Sequence, residues 1–280
     1  MPETTVNGVA LSHETRGAGP PVLLICGTGQ PAMVWWLSLG QQLVDMGYRV
    51  TAFDNRGIAP SDIPPPPYTV AEMADDTIGL LEALGDEPCV VIGASLGGLI
   101  AQTIALRRPD LVRGVVFIVG CGNFSLYAKL MMQADVETQR LGVELPKLLF
   151  QLRTMELMIP PDSRGDDEIM GSLLPLADLL GSGDPQGLLG QLEADYAWAL
   201  EDHLSELAGL SVPALAIAHQ HDPLFPPSLV SAAVAAMPDG ELVVVPNVNH
   251  VHIERTDIVD QALEQFLRRV HHEHPDPSPA

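Results

Sequence analysis

Apolar and polar positions along this chain follow two alternating periods. Residues 4–16 alternate around Asn7-Gly8, a dipeptide suited to a two-residue turn, and are read as two short paired strands. Val22-Leu23-Leu24-Ile25-Cys26 is an unbroken apolar run, the pattern of a strand covered on both faces. Helical spacing over 34–46 stops at Gly47, and Arg49-Val50-Thr51-Ala52-Phe53 is the next strand. Thr69 and Glu72 make a capping box that opens a helix, which Gly85 ends after Leu84. The run from Cys89 leads through glycines into the helix-forming stretch Leu99 to Leu106, and 114–119 reads as a further strand. Strands and helices alternating at this interval imply βαβ units and a parallel sheet.

The rhythm changes after Cys121. Between 124 and 207 no strand pattern appears. Leucines and methionines recur there at helical spacing, broken by 160–165 and 181–185, so roughly four helices are expected. Strand patterning resumes at Val212 to Ala218, followed by a helix at 228–236, a strand at 242–245 and a helix at 256–270. The fold class expected is therefore α/β, a mostly parallel central sheet with helices on both faces and a helical insertion. The core is assigned to 1–123 and 208–272 and a lid to 124–207, with 273–280 a disordered tail.

Charge narrows the partners. With 14 Lys and Arg against 36 Asp and Glu, the formal net charge is -22, a surface that repels phosphate backbones. Nucleic acid and membranes are not expected as partners; a small-molecule substrate is, with monomer or homodimer left open. Residues 1–5 lack the basic and apolar regions of a secretory signal, and no apolar run reaches membrane-spanning length. Cys26, Cys89 and Cys121 are widely spaced in or beside apolar runs and read as free thiols in a cytoplasmic protein.

The candidate chemistry begins at Gly93-Ala94-Ser95-Leu96-Gly97-Gly98. A serine in an abrupt strand-to-helix turn brings the flanking backbone so close that the residues two before and two after must lack side chains. Its hydroxyl then stands above the sheet edge, beside the unpaired Leu96 N–H at a helix start. Phosphate binding is the rival reading of such a turn. A serine needs a base, and the base an orienting acid. Asp222 in His219-Gln220-His221-Asp222-Pro223 and His250 in Asn247-Val248-Asn249-His250 both follow strands, placing them on the same rim as Ser95. His252 ranks second as base. His219, His221 and Asp222 also suggest a metal triplet, but the further ligands such a site requires are not found, so no metal and no organic cofactor is expected.

Over nearly its whole length the chain resembles the α/β-hydrolase superfamily, with the closest look to its esterase, lactonase and cofactor-free haloperoxidase-like branch. The resemblance rests on Asp54-x-Arg56-Gly57, the Ser95 turn, Asp222-Pro223 and Asn249-His250. It implies Ser95 as nucleophile, His250 as base and then acid, Asp222 as orienting carboxylate, and the N–H groups of Thr28 and Leu96 as the oxyanion hole. It also makes Asp54 a structural turn residue. Two positions depart from the pattern: Cys26-Gly27 stands where the family has His-Gly, and Asn249 where it often has glycine.

Met131, Met132, Leu149, Phe150 and Tyr196 of the insertion, with Trp35 or Trp36, are candidates for an apolar pocket wall, although such stripes are commonly core. Arg140, Arg153 and Arg164 form no evident anion clamp. The expectation is a serine hydrolase acting on an ester or lactone. Thioesterase, carbon–carbon bond hydrolase, perhydrolase and a low-turnover receptor are the alternatives, because fold and triad do not fix the substrate.

Overall fold

The structure, a computed structural model, describes residues 1–85, 88–180, 183–250 and 256–273. Eight strands form one sheet: β1 (Glu3–Val6), β2 (Val9–Arg16), β3 (Pro21–Ile25), β4 (Arg49–Phe53), β5 (Cys89–Ala94), β6 (Val112–Ile118), β7 (Ala214–His219) and β8 (Gly240–Val245). Their order is β1-β2-β4-β3-β5-β6-β7-β8, antiparallel at β1–β2 and β2–β4 and parallel elsewhere. The first two strands turn at Asn7 and Gly8, both at positive φ, as the Asn-Gly signal requires.

Helices connect the strands: α1 (Met33–Trp36), α2 (Leu39–Asp45), α3 (Val70–Leu84), α4 (Leu96–Arg107), α5 (Leu126–Arg140), α6 (Lys147–Met158), α7 (Asp167–Leu180), α8 (Pro185–Ala199), α9 (Pro227–Ala236) and α10 (Thr256–Glu273). Thr69 and Glu72 complete the capping box of α3, and Gly85 closes it in the left-handed conformation. The helix expected over 34–46 is interrupted. Ser38 leaves helical geometry and returns its hydroxyl to the Val34 carbonyl at 2.9 Å, splitting the segment into α1 and α2. Between β6 and β7 the described residues carry α5 to α8, and no strand. Among the described residues no helix is long and apolar enough to cross a membrane. Beyond Glu273 the expected tail lies outside the described residues.

The period of two along each strand divides the core. Leu23, Ile25, Val91, Val115 and Phe117 pack with α3, α4 and α9 on one face of the sheet. Val22, Leu24, Val90, Ile92, Val116 and Ile118 pack on the other, against Leu39 and Leu43 of α2 and Leu263, Phe266 and Leu267 of α10. Both faces being covered explains the continuous apolar runs. Each such fully buried side chain is worth about 1.5–3 kcal/mol. The chain leaves β3 for β4 on one side and returns to β5 on the other. The C-terminal ends of β3 and β5 thus flank a crevice where the winding reverses.

Candidate active site

Ser95 follows β5 with φ 52° and ψ -120°, a conformation that costs about 1–3 kcal/mol and persists only where the surroundings impose it. The surroundings do so through bare backbone. A Cβ on Gly93 would lie 2.0 Å from the Gly97 carbonyl oxygen, and one on Gly97 would lie 2.2 Å from that of Ile25. A Cβ on Gly98 would lie 2.1 Å from the Gly120 oxygen. The turn is therefore clamped between the ends of β3 and β6, and the Ser95 N–H reaches the Ile118 carbonyl at 2.9 Å.

Asp222 and His250, 127 and 155 residues further along the chain, meet this serine. His250 Nε2 lies 3.1 Å from Ser95 Oγ, and its Nδ1 lies 2.9 Å from Asp222 Oδ2. The Leu224 and Phe225 N–H groups donate to Asp222 Oδ1 at 2.7 and 3.0 Å. Burial disfavours the Asp222 carboxylate, yet facing His250 and these two amides hold it below the ordinary 3.8. For His250, burial opposes the cation, but the Asp222 charge and hydrogen bond, with a smaller contribution from Asp195, raise it above 6.5. An ionised carboxylate only accepts, so Nδ1 carries the proton and Nε2 is left to accept from the serine. In this order the imidazole can take the hydroxyl proton while the carboxylate stabilises the resulting cation.

The loop bearing His250 is fixed on two sides. His219, fully buried, donates from Nδ1 to the Asn249 carbonyl at 2.7 Å. Asn249 accepts from the His250 N–H at 3.0 Å and donates to the Glu156 and Ile159 carbonyls at the end of α6. Phe225 stacks beside the His250 ring at 6.4 Å between centroids, backed by Phe124 at 4.4 Å. Sequence reasoning missed Phe124 and Phe225; the position of Phe225 three residues after the acid was the available sign.

Leu96 follows the serine, and Thr28 lies in the loop after β3. A Cβ on Gly27 would lie 3.2 Å from Ser95 Cβ, so the loop after β3 runs directly against it. Among the described residues neither the Thr28 nor the Leu96 N–H has an acceptor, leaving both donors available. The Cys26 thiol is buried and points to the Pro31 carbonyl at 3.5 Å. Asp195 of α8, which sequence reasoning also missed, accepts a hydrogen bond from the Thr28 hydroxyl.

The expected pocket residues scatter. Met132 is buried and Tyr196 half-buried in the cluster holding Phe124 and Phe225, while Met131 and Phe150 are half-buried on α5 and α6. Leu149 is exposed. Trp35 lies buried in the opposite core with Cys26 and Leu39. Arg140 and Arg153 pair with Glu193 and Asp135, and Arg164 reaches backbone carbonyls. Asp54 accepts the Ala32 N–H at 2.7 Å, as a turn residue does. An open groove of about 560 Å³ lined by Thr69, Thr103, Arg107, Trp198 and His203 contains neither Ser95, Asp222 nor His250. Among the described residues no three His, Cys, Asp or Glu side chains gather as metal ligands; His252 lies outside them.

Comparison with known proteins agrees with this architecture. A family model described as alpha/beta hydrolase fold matches residues 20–148, and one described as TAP-like protein matches 197–279. A Mycobacterium tuberculosis protein provisionally named non-heme bromoperoxidase BpoC is 27% identical over 263 residues, covering 94% of this chain and 99% of its own. Its crystal structure superposes with a TM-score of 0.88, at 26% identity over 95% of this chain and 97% of the other. A protein of Variovorax paradoxus provisionally named carbamate hydrolase RutD is 27% identical, over 93% of this chain and 97% of its own. A thermophilic esterase from Thermogutta terrifontis matches at 26% identity and TM-score 0.80, over 96% and 97%.

Proposed function

The chain belongs to the α/β-hydrolase superfamily, and within it we propose a serine hydrolase that cleaves a carboxylic ester or lactone of a largely apolar small molecule. The observation supporting this most strongly is the unbroken line from Ser95 Oγ through His250 to Asp222. In this reading His250 Nε2 takes the serine proton as Ser95 Oγ attacks the carbonyl carbon. The carbonyl oxygen becomes an oxyanion facing the Thr28 and Leu96 N–H groups, donors of a kind worth about 2.7–4 kcal/mol each. Collapse expels the alkoxide, which takes the proton from His250 and leaves an acyl-serine. Water, deprotonated by His250, then releases the acid and restores Ser95.

Helices α5 to α8 are the lid of this reading, with Met132 and Tyr196 facing the acyl or alkyl part. The bromoperoxidase name of a full-length relative favours one second reading, perhydrolysis, in which hydrogen peroxide takes the place of water on the acyl-serine. The buried thiols support a reducing, cytoplasmic setting. Hydrolysis of p-nitrophenyl esters of rising chain length, and of lactones, is the test. Turnover by the wild type and its loss in Ser95→Ala is expected; equal turnover by both would overturn the assignment.

A further inference from the structure

Helix α8 buries a stripe formed by Gly187, Gly190, Gln191, Ala194 and Asp195. Its first turns pack too closely for side chains: a Cβ on Gly187 would lie 1.9 Å from the Gly57 carbonyl oxygen, and one on Gly190 2.4 Å from the Tyr68 ring. With the helix seated there, the next two polar side chains of the stripe reach the loop after β3. Gln191, fully buried, accepts the Gly29 N–H at 2.8 Å and donates to the Arg56 carbonyl at 2.8 Å, joining the loops after β3 and β4. One turn on, Asp195 accepts the Thr28 hydroxyl. Cys26 contributes nothing to this hold, since its thiol turns back to Pro31.

We propose that Gln191 and Asp195 are positioning residues that fix Thr28 and Gly29, so that the oxyanion-binding loop is set by the helical insertion as well as by the sheet. This rests on the reading of Ser95 as nucleophile. Charge supports it further. Burial lifts the Asp195 carboxyl to about 7, against the Thr28 hydrogen bond and His250, the titratable group facing it. Glu193, on the same helix, is engaged by Arg140. Asp195 in turn adds, after Asp222, to the cationic bias of His250.

The test compares Gln191→Ala, Asp195→Ala and Asp195→Asn in the full chain, by ester hydrolysis and by amide hydrogen exchange over 22–32. Gln191→Ala and Asp195→Ala should lose roughly tenfold to a hundredfold in kcat with KM nearly unchanged, and exchange faster in that loop. Asp195→Asn keeps an acceptor for Thr28, so it should retain most of kcat. Unchanged loop exchange in Gln191→Ala and Asp195→Ala would overturn the proposal. So would an Asp195→Asn as impaired as the alanine variant. If Ser95 proved unreactive in the wild type, the hydrolase reading would fail by itself. The exchange experiment would still decide whether α8 holds the loop.

Discussion

The side-chain amide of Asn249 reaches the carbonyl of Glu156 at 2.5 Å, joining the loop that carries His250 to the end of α6, 93 residues earlier in the chain. It makes a second bond to the Ile159 carbonyl and is 2% exposed. A glycine at 249 would leave two carbonyls and the His250 N–H without this partner. Asn249→Gly should therefore cost about 1–3 kcal/mol and lower kcat as the imidazole loosens. Urea unfolding and ester kinetics measure the two effects; a variant with wild-type stability and turnover would show that the tie is idle.

Activity should respond to pH through His250. In the proposed reaction its neutral form takes the serine proton, and Asp222 raises it above 6.5, so kcat/KM should climb with pH through a midpoint above that value. Stability follows the same pair with opposite signs. The His250 contribution is full below 6.5 and fades as pH rises through its raised value, whereas that of Asp222 is present above 3.8 and fades as pH falls through its lowered value. Asp222→Asn should lose roughly 10⁴-fold in kcat. It should also lower stability between 3.8 and 6.5, where both contributions are full, and remove the losses on either side, readable from thermal unfolding across pH.

Glycines of the serine turn should tolerate no side chain. Gly97→Ala places a Cβ 2.2 Å from the Ile25 carbonyl oxygen, where only backbone movement gives relief. It should cost about 4 kcal/mol or more, or prevent folding. Gly171 of α7 is the control, with nothing within 4 Å of its Cβ position. Gly171→Ala should be neutral or stabilising by about 0.5–1 kcal/mol. Melting temperatures of the two variants check the contrast.

Much of this was legible in the sequence because it is local. The Asn7-Gly8 turn, the Thr69 and Glu72 box and the glycines around Ser95 each act within a few residues, so spacing alone exposes their geometry. Asp222 and His250 were also readable, since each follows a strand whose end must face the same rim. The ties that hold the site were not. Asn249 with Glu156, Gln191 with Gly29 and Asp195 with Thr28 join positions far apart in the chain. Apolar stripes such as that of Met131 and Met132 show in the spacing of the sequence. The polar members of the buried face of α8 leave no such trace. The break at Ser38 was hidden for a different reason, because the apolar spacing continues across it.

Cysteine reactivity separates this account from a thiol-based one. Cys26, Cys89 and Cys121 are buried thiols outside any disulfide, and burial pushes those of Cys26 and Cys121 well above their ordinary value. Titration with a disulfide reagent should label none of the three in the native protein and all three after denaturation. Rapid native labelling accompanied by loss of ester turnover would contradict this.

Whether Ser95 is the activated nucleophile is decided most directly by intact-protein mass after exposure to a fluorophosphonate probe. Wild type and Ser95→Ala are compared, both checked for folding by circular dichroism. The account predicts a single adduct on the wild type and none on the variant. No adduct on folded wild type, or equal labelling of both, would contradict it.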